Sequence, residues 1–287
     1  MLEPVGPVWP VINPEDRRMA LPAGLDAGGR GAGIGVHIAD MKAKPENNSE
    51  LDTQILYGEA VTAFDTEGEW TRIKARRDGY VGWTRTVNIS PAMPSPDYRV
   101  IVPRTFVYPE PDMKRPRSDF LSMGSLLQVE DVTETRGTQY AILSDGRSVV
   151  CRHIAPMENN ASDFVAVAES FLRTPYLWGG CSGFGLDCSG LVQLAMRMAG
   201  INVMRDTDMQ AATIGDPVDP GTNWCDLERG DLVFWKGHVA IAQGEIDGVP
   251  HLIHANGYTM DVTSEPASQA IERIASLWQR PIGVRRP

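Results

Sequence analysis

Asp187-Cys188-Ser189-Gly190-Leu191-Val192-Gln193 is the stretch on which the reading of this chain turns. Leu191, Leu194, Ala195 and Met198 in and beyond it recur at the spacing of one buried helix face. Gly200 supplies a stop, so the pattern predicts a helix over 187–199. Cys188 then stands in the first turn, where unpaired backbone N–H groups and the helix dipole favour a thiolate. A cysteine so placed becomes a nucleophile once a histidine reaches it.

His238 and His254 are the partners within reach of that argument. They lie on consecutive strand-like runs, 238–243 and 251–255, joined by Gly244-Glu245-Ile246-Asp247-Gly248. A hairpin centred on Ile246 sets His238 directly opposite His254, with Cβ atoms about 4.5–5.5 Å apart. One histidine then orients the other, as the third member of a triad does. His251 falls on the other face by parity. Two alternatives stay open on spacing alone. Both histidines could be satisfied core residues, or Cys188 and the pair could hold zinc, though no two ligands are close in sequence.

Working outward, Phe164, Val167, Ala168, Phe171 and Leu172 recur at helical spacing behind Ser162 or Asp163, and a further strand-like run covers 231–235. Helices followed by strands make the region after Pro156 an α+β domain. Residues 36–155 read instead as short strands between turns, with an internal repeat. Gly58-Glu59-Ala60-Val61 corresponds to Gly124-Ser125-Leu126-Leu127, and the Asp78-Gly79 turn to Asp145-Gly146. Each unit pairs strands through an Asp-Gly turn, and Pro91, Pro94 and Pro96 mark the linker. Two small β-barrel modules follow from this, with Tyr80 and Trp83 in the core of the first. Gly31-Ala32-Gly33-Ile34-Gly35 is similar to a dinucleotide loop but lacks the strand before and the helix after that such a loop needs.

The 287 residues carry a formal charge of −10, and the longest basic cluster is Lys74, Arg76 and Arg77, so nucleic acid is not an expected partner. No run approaches the roughly 18 apolar residues of a membrane span, so no membrane partner is expected either. Cys151, Cys181, Cys188 and Cys225 show no C-x-x-C spacing. The start, Met1-Leu2-Glu3-Pro4-Val5-Gly6-Pro7, has neither the basic nor the apolar segment of a signal peptide, which makes a cytoplasmic location the expectation.

Five motifs now resemble a known family in their order and spacing. They are Thr174-Pro175-Tyr176-Leu177-Trp178-Gly179-Gly180, the Asp187–Gln193 stretch, Arg229-Gly230-Asp231-Leu232-Val233-Phe234-Trp235, His238-Val239-Ala240-Ile241 and Ile253-His254-Ala255-Asn256. Over about 160–285 they look like NlpC/P60 cysteine peptidases, and Gly79-Tyr80-Val81-Gly82-Trp83 resembles bacterial SH3 domains. The resemblance implies an α+β, papain-like catalytic domain preceded by two SH3-like barrels. Its divisions are an extension over 1–35, barrels over 36–92 and 97–157, and a peptidase domain over 160–287.

The arrangement is similar to γ-D-glutamyl-L-diamino-acid endopeptidases of the dipeptidyl-peptidase VI type, which act on murein peptides such as L-Ala-γ-D-Glu-diaminopimelate. By that resemblance Cys188 is the nucleophile, His238 the general base and acid, and His254 the group that orients His238. Tyr176 lies near the oxyanion. Asp187 and Ser189 hold the substrate's free amino end, helped by a carboxylate of the first barrel, for which Glu50 is the candidate. No metal or cofactor is implied, and oligomeric state is left open. Attack on intact peptidoglycan, a non-catalytic wall-binding role and acyl transfer are the alternatives.

Overall fold

The computed structural model describes residues 11–25, 28–91 and 96–287, which fall into two compact units. One comprises 14–160 with 178–184 and holds both barrels. The other comprises 161–177 and 185–287, with the described residues up to Asn13.

In the barrel unit, β1 (Arg30–Ile34), β2 (Ile38–Lys42), β3 (Leu51–Leu56), β4 (Ala60–Glu67), β5 (Trp70–Ala75), β6 (Val81–Arg85) and β7 (Ile89–Pro91) form one sheet, in the order β3-β2-β6-β5-β4-β1-β7. Alternating residues fill its interior, with Ile34, Met41, Ile55, Val61, Ile73 and Tyr80 all buried. The second module repeats the plan with β8 (Tyr98–Val100), β9 (Arg104–Tyr108), β10 (Asp119–Ser122), β11 (Leu126–Leu127), β12 (Val129–Thr135), β13 (Thr138–Leu143), β14 (Ser148–Val150) and β15 (Ile154–Pro156). Strand β8 pairs with β11 and β15 just as β1 pairs with β4 and β7. The counterpart of β4 is split into β11 and β12, so the second module has a five-stranded and a three-stranded sheet. Both Asp-Gly turns place glycine at positive φ, 77° at Gly79 and 82° at Gly146.

One boundary moves. The extension read over 1–35 ends in β1, whose partners on both sides make it part of the first barrel. Gly31-Ala32-Gly33 has no large alternating side chains, so the strand is set by its neighbours' ladders rather than by its own pattern. Upstream residues also belong to this unit. Val81 N–H donates to the Arg18 carbonyl, and Arg17 pairs with Asp52 at 2.7 Å. Residues 1–10 of that extension and Pro94 of the linker lie outside the described residues. Gly58 joins the two modules: its φ is 80°, and a Cβ there would lie 2.3 Å from the Leu126 carbonyl oxygen. Only glycine fits.

The second unit contains α1 (Phe164–Glu169), α2 (Cys188–Met198), α3 (Thr207–Thr213) and α4 (Ala267–Leu277). Two dipeptide strands, β16 (Cys181–Ser182) and β17 (Gly185–Leu186), precede α2 in the chain. The main sheet uses β18 (Asp216–Val218), β19 (Leu232–Trp235), β20 (His238–Ile246), β21 (Val249–Asn256), β22 (Asp261–Pro266) and β23 (Gly283–Arg286), all antiparallel, in the order β18-β23-β19-β20-β21-β22. Every residue of β19 is buried, as expected of a strand covered on both faces. Helix α4 packs on Ala240, Ala242 and Leu252 through Ala270 and Ile271. Helix α2 packs against β20 and β21 and is buried at every position except Arg197. Helix α1 is shorter than its apolar spacing implies. It ends at Glu169, yet Phe171 beyond it is still fully buried.

Candidate active site

The position of Cys188, the nucleophile expected from sequence, follows from a cap. Asp187 is extended, and its carboxylate accepts from Gly190 N–H at 2.7 Å, which starts α2 at Cys188. Arg205, 1% exposed, donates to both Asp187 oxygens at 3.0 and 2.7 Å and to Ser189 Oγ at 2.8 Å. Gln210 of α3 donates to the Ser189 carbonyl at 3.0 Å and the Met204 carbonyl at 2.9 Å, tying the Arg205 segment to the helix start. Asp187 and Ser189 therefore sit beside Cys188 as read from sequence. Asp187's charge, however, is already matched by a buried guanidinium.

The histidines meet by a different register from the one their spacing suggests. The turn is Asp247-Gly248, with φ of 53° and 75°, the backbone of a two-residue hairpin that Asp-Gly favours. Beside it Ile246 pairs with Val249 and Gly244 with His251, numbers that sum to 495. Continued unbroken, that register would set His254 across from Ile241, on the face opposite His238. A β-bulge at Gln243 shifts the ladder to Ala242↔Leu252 and Ile241↔Ile253, sums of 494. Parity is restored. His254 lies across from position 240, diagonal to His238 rather than directly opposed, and the two rings still meet, His238 Nε2 2.8 Å from His254 Nδ1. The bulge itself is pinned. Gln243 donates its amide to Glu169 at 3.2 Å and accepts from Ser264 Oγ, while Arg229 donates to its carbonyl at 2.7 Å.

His254 is buried, and its Nε2 lies 2.8 Å from Glu265 Oε1 on β22. Glu265 also pairs with Arg273 of α4, whose guanidinium lies 4.5 Å from the centre of the Tyr258 ring. Both nitrogens of His254 are thus engaged. Neither Glu265 nor Arg205 is signalled by the sequence. Their partners come from strands and loops whose register spacing does not reveal.

The electrostatics reverse one expectation. Burial pushes the Cys188 thiol up to about 11, and the Asp187 charge adds to the rise; the Thr207 hydroxyl, 3.7 Å away, and backbone N–H groups of Val239 and Ser189 oppose it. The helix start does not prevail, because a desolvated sulfur beside a carboxylate resists ionisation. Val239, whose N–H faces the sulfur, directly follows His238. Burial also holds the His238 imidazolium well below its ordinary range, and the charge of His254, when that ring is protonated, and of Arg273 adds to the effect. Both shifts favour a neutral thiol and a neutral imidazole in the resting pair. Tyr176 is half-buried and its phenol is pushed up to about 12, by burial first and the Cys188 and Asp187 charges second, so it remains an O–H donor.

Two positions belong to the barrel unit. Glu50 is exposed, immediately before β3. Cys181 is buried, and its thiol donates to the Gln54 carbonyl at 3.0 Å.

A cysteine opening a helix that packs on an antiparallel sheet, with a linked histidine pair on that sheet, defines a papain-like thiol peptidase. The NlpC/P60 family model matches residues 173–275, and that of the bacterial dipeptidyl-peptidase Sh3 domain matches 42–86. A Bacillus cereus protein named γ-D-glutamyl-L-lysine dipeptidyl-peptidase is 30% identical over 72% of this chain and 68% of its own length. One of the same name from Bacillus subtilis is 31% identical over 64% of each chain, so this chain spans slightly under two thirds of that relative. The crystal structure of an NlpC/P60 family protein from Bacillus cereus superposes with a TM-score of 0.71 at 22% identity, over 90% of this chain and 99% of that one. The chain belongs to the NlpC/P60 family of cysteine peptidases.

Proposed function

We propose that this peptidase hydrolyses the γ-D-glutamyl–diamino-acid bond of short murein peptides that carry a free N-terminal L-Ala. The observation that carries the reading is the hydrogen-bonded pair His238–His254, with His238 on the strand whose Val239 N–H faces the Cys188 sulfur, in a chain whose relatives bear that activity in their names. His238 takes the thiol proton as the sulfur attacks the γ-carbonyl, so no standing thiolate is needed. Backbone N–H groups at the start of α2 and the Tyr176 hydroxyl are the donors for the oxyanion. His238 then returns the proton to the leaving amine, and water cleaves the thioester.

Asp187 and Ser189 border the position assigned to the substrate's amino end. Because Arg205 already matches the Asp187 charge, the ammonium needs a further carboxylate, and Glu50 is the residue proposed for it. Incubation with L-Ala-γ-D-Glu-diaminopimelate, followed by mass detection, tests the reading: L-Ala-D-Glu and free diaminopimelate are expected. Recovery of intact peptide from a folded sample would overturn it.

A further inference from the structure

The hydrogen-bonded line behind His238 extends one residue past the two histidines. His254 has Nδ1 2.8 Å from His238 Nε2 and its own Nε2 2.8 Å from Glu265 Oε1. An ionised carboxylate only accepts hydrogen bonds, so the nitrogen facing it carries the hydrogen. When His254 carries a single ring proton, that proton is on Nε2 and Nδ1 is bare. A bare Nδ1 must receive its hydrogen from His238 Nε2. Neutral His238 is left with its lone pair on Nδ1, the ring nitrogen not used in this line.

The opposite pair of tautomers would protonate His238 Nδ1 and leave no site for the thiol proton. We propose that Glu265 is a positioning residue that sets the tautomer of both histidines and so presents His238 as a base toward Cys188. The inference rests on the thiol-peptidase reading. In the step it governs, the S–H bond of Cys188 breaks and an N–H bond forms at His238 Nδ1. The imidazolium keeps its Nε2–H on His254, and the proton later leaves with the amine.

Glu265 is suited to stay ionised. Burial works to raise its pKa, but the hydrogen bond from His254, the charge of that ring when it is protonated, and the charge and hydrogen bond of Arg273 outweigh this and hold the carboxyl below its ordinary range. The groups that face it are His254 from β21 and Arg273 from α4, and Arg273 also acts on His238.

The test begins without substrate. Nitrogen-15 NMR of the resting protein is expected to show His254 and His238 both protonated at Nε2, and a hydrogen on His254 Nδ1 would overturn the proposal. In Glu265→Ala, kcat on the dipeptidyl substrate should fall by about 10²-fold or more with KM unchanged, the scale of general-base catalysis. Alkylation of Cys188 by iodoacetamide at neutral pH should slow by about tenfold, since it follows thiolate formation. Glu265→Gln should recover much of both losses, because Arg273 holds the amide oxygen toward His254. Wild-type rates in Glu265→Ala, or equal losses in the two variants, would overturn the assignment. The NMR and alkylation readouts use no peptide, so a wrong substrate would leave them standing, and the spectrum of the unaltered protein decides even where a variant fails to fold.

Discussion

His238 is held neutral by its surroundings, and that has a pH signature. A base whose conjugate acid is weakened by burial loses its lone pair only in more acid solution than usual. The acid limb of kcat/KM is therefore expected below pH 6.5, with activity level between 6.5 and 8 and falling about tenfold per unit further down. A limb above 6.5 would show that His238 gains rather than loses proton affinity in this site. On the thiol side, Cys188 is pushed up to about 11, so no alkaline decline from its ionisation belongs below pH 9. Cys188→Ala should end hydrolysis while the protein stays folded, since replacing a small buried thiol by a methyl group alters packing little. Circular dichroism and the peptide assay together read this, and residual turnover would place the nucleophile elsewhere.

The elements show which of these features are legible in the chain. Helix α2 is, because the apolar spacing and Gly200 mark it locally, while its cap at Asp187 emerges with the structure. The meeting of His238 and His254 is legible only in part. Their strands are plain, but the register depends on the Asp247-Gly248 turn and on a bulge at Gln243 that Glu169, Ser264 and Arg229 hold from other segments. Two odd register errors cancel in parity: the turn centre lies one and a half residues past Ile246, which raises the pairing sum by three, and the bulge lowers it by one, so both histidines stay on one face. Strand β1 is hidden for a related reason, since Gly31-Ala32-Gly33 becomes a strand through its neighbours. Arg205 is invisible to pattern altogether, as nothing in a sequence distinguishes a buried arginine. Its removal gives the sharpest stability prediction. Arg205→Met strands the Asp187 carboxylate at the start of α2, and loss of one partner of a buried pair costs about 3–5 kcal/mol. Urea unfolding should show that loss. Adding Asp187→Asn should recover part of it, because the asparagine still caps the helix. A loss below about 1 kcal/mol would mean that solvent reaches the pair and screens it.

At the scale of the whole molecule, the question is what a peptidase domain gains from a chain that also carries two barrels. A hydrolase of intact wall meets L-Ala whose nitrogen is bound in an amide, whereas a hydrolase of released peptides meets a free ammonium. The two substrates differ by one charge at one atom. If that ammonium is recognised, acetylating it removes the charge and leaves its carboxylate partner desolvated and unmatched. An unmatched charged hydrogen-bonding group costs on the order of 1–3 kcal/mol, which corresponds to about a 5- to 150-fold loss in kcat/KM. N-acetyl-L-Ala-γ-D-Glu-diaminopimelate is therefore expected to be cleaved that much more slowly than the free peptide. Glu50→Gln reads whether the barrel unit takes part. It should shrink the difference between the two peptides while leaving kcat on the acetylated one unchanged, because the carboxylate is assigned to recognition and not to the proton line of Cys188, His238 and His254. Equal rates on both peptides in the unaltered protein would sink the free-amine requirement and favour action on intact wall. A preserved preference in Glu50→Gln would instead confine amine recognition to the peptidase unit, where Ser189 and the Asp187–Arg205 pair border Cys188.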